Sequence, residues 1–237
     1  MAVPERHYIS GVPFYPQQEY FCGPTTLSEV AYFYNLEISP DDLSSKVFLP
    51  GRQGSLQIEM KAATRDLGLV AYAKTSNLSE LFRLIAQDVP IIVLQNNGVS
   101  WYPQWHYAVV IGYDIHNSTI RLHTGLTANR DMPIKLFLNT WQRASSWFLA
   151  PLPTDKKVDY VNNMDYINAA HQLIETNKLD AGREALETAI KMWPEQWLSY
   201  FLLANSYIND NPIKAKKWFQ LGLAHAEGQV DYLNNFA

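Results

Sequence analysis

The one cysteine of this chain, Cys22, stands in the segment PQQEYFCGPTTL. A thiol attacks as its thiolate, and the unpaired amides and macrodipole at a helix N-terminus favour that form. Gly23 and Pro24 directly after it suit a tight helix entry, since proline is tolerated in a first turn. The plainer reading of a lone cysteine is a small apolar residue filling core. If the thiol attacks a carbonyl, the Cys22 amide points toward the site of attack and a second oxyanion donor is needed. An amide side chain a few residues upstream can supply it, and Gln17 and Gln18 are the candidates. The base must come from a distant part of the chain. Among six histidines, His7 lies in the N-terminal tail, His171 and His225 in the C-terminal third, and His116 in a polar turn. His106 opens an apolar strand directly after the aromatic segment WYPQW, which puts an imidazole on a rigid element.

The elements that must position these groups are legible from periodicity. Residues 23–35 predict a helix, with apolar Leu27, Val30, Ala31 and Tyr34 on one face and its start at Cys22. Further helices are predicted over 56–67, stopping at Gly68, and over 78–87, with Ser76 and Asn77 ahead of it as caps. PIIVLQ reads as a buried strand, HYAVVIGYD and STIRLHTG as a hairpin, and SSWFLAPL as a last strand. Helices followed by an antiparallel sheet make an α+β domain.

Composition narrows the function classes. With 237 residues, 47% of them hydrophobic, the chain can bury a real core. A net charge of −4 without long runs of one sign argues against nucleic acid and anionic membranes as partners. No apolar run reaches the roughly 18 to 20 residues of a membrane span. A single cysteine excludes an internal disulfide and a cysteine-rich zinc site, and neither a metal nor a cofactor is expected. MAVPERHY has no charged segment followed by an apolar one, so no export signal is expected there.

The C-terminal third repeats with a period of 34 residues: Ala170 with Ala204, Ile167 with Phe201, Leu173 with Tyr207, Ala181 with Ala215, and Ala185 with Phe219. That is the tetratricopeptide period, in which small residues sit where two antiparallel helices approach closely. Pro194 stands at the join and Pro212 in the loop before the last helix, while an ordinary helical bundle is the alternative. In LAPLPTDKKVDYVNN two prolines and a polar stretch end the strand pattern, which places a domain boundary near Pro153. Lys214, Lys216 and Lys217 read as a solvated helix face.

VPFYPQQEYFCGPTTL followed by WHYAVVIGYD resembles the bacterial double-glycine leader peptidases, the bacteriocin-processing family of the papain-like clan. GSLQIEMKAATRDLGLVAY, and LHTG followed by a strand ending in WFLAPLP, resemble a bacterial subgroup that appends tetratricopeptide repeats. The resemblance implies a papain-like cysteine peptidase domain over 1–153 and a helical repeat domain over 160–237. By position it makes Cys22 the nucleophile, His106 the base and Gln17 the oxyanion glutamine, with Gln18 the alternative. It departs at the third position: the family's aspartate is replaced by Thr124 in the segment Leu122, His123, Thr124, Gly125. Asp114 cannot substitute, because eight residues along a strand at ~3.3 Å each is on the order of 26 Å. Asp131 is the remaining nearby acid, entering from a loop. Otherwise the site works as a dyad, with Thr124 fixing the imidazole tautomer.

The chemistry implied is attack of Cys22 on a peptide carbonyl, an oxyanion held by Gln17 and the Cys22 amide, protonation of the leaving amine by His106, and hydrolysis of a thioester. The partner is a peptide or protein substrate, cleaved after small residues such as Gly-Gly if the resemblance extends that far. The repeats either hold a protein partner or dock on the first domain. Trp101, Trp105 and Trp141 are candidates to line a cleft beside His106, although core or surface packing is the commoner role for each. An amidase or acyl transferase of the same fold, and a scaffold without catalysis, are the competing expectations. The resembling subgroup is often exported or lipid-anchored, which favours the cell envelope.

Overall fold

The computed structural model describes residues 3–17, 21–47, 55–99 and 101–236. The chain divides into two compact units. The first carries, in order, β1 (Arg6–Tyr8), α1 (Cys22–Phe33), α2 (Pro40–Val47), α3 (Gln57–Asp66), β2 (Val70–Thr75) and α4 (Leu78–Ile85). It continues with β3 (Ile91–Asn96), β4 (Trp105–Asp114), β5 (Thr119–Thr124), β6 (Thr127–Pro133), α5 (Ile134–Gln142) and β7 (Trp147–Leu152). The strands form one sheet in the order β2-β7-β3-β4-β5-β6, with β1 added antiparallel to the far end of β4.

Local chemistry accounts for the helix ends. In α1 the Thr25 amide donates to the Phe21 carbonyl at 3.0 Å, and Asn35, at φ 61°, ends the helix in the left-handed region that asparagine tolerates. Gly68 at φ 76° closes α3, and the Asn77 side chain caps α4 by accepting from the Glu80 amide at 3.1 Å. Pleating then sorts the side chains of β3 and β4. Ile92, Leu94, Tyr107, Val109 and Ile111 join Leu27 and Val30 of α1 in one core. The other face takes α5, where Gln95 Nε2 donates to Thr140 Oγ1 at 2.7 Å. Helices on both faces explain why β3 is buried along its whole length and reads as a continuous apolar run.

The α+β expectation holds, with an antiparallel β3-β4-β5-β6 ladder. The simple order of helices first and sheet afterwards does not: β1 and β2 precede the hairpin, and α2, β6 and α5 add elements that periodicity missed. β6 is exposed on both faces over residues 127–131, with no apolar residue there larger than Ala128, so no alternation marks it.

The second unit comprises Gly68–Val70, Pro153–Lys157 and Val161–Ala237. Its helices are α6 (Asn163–Glu175), α7 (Leu179–Met192), α8 (Trp197–Tyr207), α9 (Pro212–Gly222) and α10 (Val230–Phe236). Asn162 and Asn211 cap α6 and α9. Helices α6 and α7 meet closely at Gly182, where a Cβ would come within 2.5 Å of Ile174. Arg183 is buried and binds the Ser206 carbonyl and Asp210, with its guanidinium 3.7 Å from the centre of the Tyr207 ring. Ala170, Ala185 and Ala204 are fully buried, and Lys214, Lys216 and Lys217 are exposed.

Candidate active site

Helix α1 begins at Cys22, so its sulfur sits at an N-terminus with free amides. The backbone N–H groups of Tyr107, Gly23 and Cys22 itself point at that sulfur. Tyr107 follows His106, so the helix start and the head of β4 meet within one residue of the imidazole, although 84 positions separate them in sequence. The meeting is steric as well as polar. A Cβ on Gly23 would stand 2.4 Å from Ser55 Oγ, so only glycine lets the helix start approach this wall, and the Tyr107 hydroxyl donates to the Ser55 carbonyl at 3.3 Å.

Burial pushes the Cys22 thiol pKa up, and the three amides offset this only in part. Desolvation of the half-buried sulfur thus opposes the thiolate that a helix start favours. His106 is also kept neutral. Burial first, then the Arg130 cation on β6, pushes its pKa down to about 4. Burial thus disfavours charge on both groups.

His106 Nε2 lies 2.8 Å from Thr124 Oγ1. Thr124 thus occupies the imidazole's far side, leaving Nδ1 as the ring nitrogen that can take a proton. The ladder between β4 and β5 ends at Val109 with His123, and the two strands part beyond it. Gln17 is buried beside this opening. Its amide N–H donates to the Gly125 carbonyl at 3.0 Å, and Gly125 N–H donates to Gln17 Oε1 at 3.2 Å. With the oxygen engaged, Gln17 Nε2 is a buried donor without a partner among the described residues. A buried donor left open costs about 1–3 kcal/mol, which a developing anion can recover. Gln18 lies outside the described residues.

The expectation for Asp131 is corrected. Asp131 is bound through both carboxylate oxygens to Arg121, at 2.8 and 2.7 Å, and sits on β6 opposite Arg121, which is three residues from Thr124. It does not serve His106. Of the three tryptophans, Trp141 takes the commoner core role: it is fully buried with its Nε1 donating to the Trp147 carbonyl at 2.7 Å. Trp101 and Trp105 are 85% and 55% exposed ahead of His106. The exclusion of Asp114 stands: it accepts from the Asn117 amide and side chain at 2.8 Å each, at the opposite end of β4. His7 pairs with Asp88, His171 with Glu175 and His225 with Glu195.

Two buried polar residues escaped the sequence reading. Glu29 on α1 has no exposed surface, and its Oε1 accepts from the Tyr15 amide at 2.9 Å. His123 on β5 is 2% exposed and bridges the Val12 carbonyl and the Asn129 amide. A lone acid between apolar Leu27 and Val30 was the available signal for Glu29; His123, in an alternating strand, gave none. Among the described residues there is no cluster of His, Cys, Asp and Glu that could hold a metal, and no helix long and apolar enough to cross a membrane.

A family model described as the Peptidase_C39 like family matches residues 9–147. A crystal structure of a C39-like peptidase from Bacillus anthracis shares the fold at TM-score 0.53 and 16% identity, over 66% of this chain and 100% of that one. A double glycine motif protease from an AMS/PCAT transporter, solved with its leader peptide, aligns at TM-score 0.48 and 19% identity, over 61% of this chain and 94% of that one. The peptidase domain of Streptococcus ComA, a bifunctional ABC transporter of a quorum-sensing pathway, aligns at 0.46 and 22%, over 60% and 99%. No curated protein matches.

Proposed function

Because the chain belongs to the Peptidase_C39 like family, we propose that it is a cysteine peptidase acting through Cys22 and His106 on a peptide or protein. The observation that carries this is the Tyr107 amide at the Cys22 sulfur, next to an imidazole whose far nitrogen is engaged by Thr124. From a neutral resting pair, His106 Nδ1 removes the thiol proton as sulfur attacks the carbonyl carbon. The oxyanion is received by Gln17 Nε2, which has no partner among the described residues, and by the Cys22 amide at the helix start. His106 then returns the proton to the leaving amine, and water hydrolyses the thioester. Thr124 fixes the tautomer with Nε2 protonated and Nδ1 open, without supplying charge.

The helical unit is read as a pair of tetratricopeptide-like repeats that hold a substrate or partner, or dock on the peptidase unit. In support, α6 and α8 begin at Asn163 and Trp197, 34 positions apart. Cleavage after small residues such as Gly-Gly is the specificity to test first, since the AMS/PCAT relative is a double glycine motif protease.

Proteome-derived peptides incubated with the wild-type chain and with Cys22→Ala, followed by sequencing of new termini, test the proposal. New C-termini that depend on Cys22 support it, and identical termini from both proteins refute it. An added amine nucleophile separates hydrolysis from acyl transfer by product mass.

A further inference from the structure

Residues 11–17, which deliver Gln17, form neither helix nor strand, so side chains must hold them. Three attachments do so. Val12 O meets His123 Nε2 at 3.2 Å, and the Phe14 ring lies 5.3 Å from the His123 ring. The Tyr15 amide donates to Glu29 Oε1 at 2.9 Å. Gln17 itself is tied twice to Gly125.

The first two attachments specify protonation states. A carbonyl accepts from His123 Nε2 while the Asn129 amide donates to Nδ1 at 3.2 Å, so the imidazole carries one proton, on Nε2. A second proton on Nδ1 would oppose the Asn129 N–H. Glu29 is fully buried, has one N–H donor on Oε1, and has no partner for Oε2 among the described residues. One amide cannot solvate a buried carboxylate, so the group keeps its proton. We propose that Glu29 and His123 are positioning residues for Gln17: their uncharged forms clamp residues 12–17 against α1 and β5, and charging either one loosens the segment.

The groups bearing on this segment fit. Tyr32, Glu29 and Glu37 bear on the Tyr15 hydroxyl, while Glu29 itself answers to burial and to the Tyr15 amide. Burial raises the Glu29 pKa from 4.5 to about 8. Burial also lowers that of His123, opposed by the Val12 carbonyl; Arg130, next to Asn129, acts on His106 instead. Glu29 holds its proton more tightly folded than unfolded. The stability it contributes is present in full below 4.5 and falls as pH rises toward about 8. His123 has the reverse sign, favouring the unfolded state as pH falls below 6.5.

The inference rests on the peptidase reading, and its test separates the two. Glu29→Gln keeps an acceptor for the Tyr15 amide and cannot ionise, whereas Glu29→Leu removes the acceptor. Peptide hydrolysis needs Gln17, while alkylation of Cys22 by iodoacetamide passes through no oxyanion. The expectation for Glu29→Leu is a fall of about 10²-fold in kcat with alkylation retained. Glu29→Gln should retain hydrolysis and lack the alkaline decline expected of the wild type near pH 8. Hydrogen exchange of the Gln17 amide, compared between wild type and Glu29→Gln on either side of that pH, reads the clamp without any activity. Faster exchange in the wild type alone supports the clamp even if no peptide is cleaved. Equal exchange in both proteins overturns it even if the chain is an active peptidase.

Discussion

The two ends of β4 carry His106 and Asp114, whose charged forms are treated in opposite ways. Asp114 receives two hydrogen bonds from Asn117, which hold its carboxyl below the usual range and leave a satisfied anion that closes a turn. His106 has one neutral hydroxyl partner, is half-buried, and stands near the cation Arg130, so its charged form is disfavoured. A strand end whose charge is stabilised is finished structure. One whose charge is withheld keeps an open nitrogen for a proton in transit.

The sharpest way to break this contrast is to remove the groups. Cys22→Ala or His106→Ala should lower peptide hydrolysis by about 10³-fold or more, measured as kcat/KM, with the fold retained by circular dichroism. Next, Gln17→Ala should cost about 10²–10³-fold in kcat and little in KM, since its Nε2 meets the substrate oxygen only as charge develops. An equal rise in KM would mean that Gln17 binds substrate instead. At Thr124, a carboxylate gives the His106 end the anion it lacks. Thr124→Asp should raise the imidazole pKa from about 4 and move the acid limb of the rate profile up in pH. Removing the cation by Arg130→Gln should shift that limb the same way and by less, because burial is the larger cause. The smallest kinetic effect belongs to the other end: Asp114→Asn should leave kcat/KM within about twofold and lower Tm, because only the turn loses charge-assisted hydrogen bonds.

The withheld charge also sets a stability dependence. His106 binds a proton less readily folded than unfolded, so its contribution is present above 6.5 and is lost as pH falls toward about 4. Urea unfolding of the wild type against His106→Ala across that window should show the difference shrinking with acid.

What the sequence disclosed follows what local pattern can encode. Leu27 and Val30 gave α1, Gly68 and Asn77 gave helix ends, and a single strand-opening histidine singled out His106. Quantities fixed by tertiary burial did not show. The sign of the Cys22 shift depends on how much wall surrounds the sulfur, and the dipole argument knows only the helix. Which of Trp101, Trp105 and Trp141 is core did not show, because aromatic residues near a site look alike in sequence, whether they face a cleft or a core. Asp131 failed because its partner, Arg121, is reached only through the β5-β6 register. Glu29 and its neighbours Thr25, Thr26 and Ser28 are all buried, so α1 is enclosed on faces that its polar residues would assign to solvent.

The account turns on the sulfur at the start of α1 being worked on by the imidazole at the head of β4. Its most direct measurement is the second-order rate of Cys22 alkylation in the wild type and in His106→Ala near neutral pH. The account predicts labelling well above that of an unassisted buried thiol, and a collapse of that rate when the imidazole is removed. Equal rates in the two proteins would contradict it.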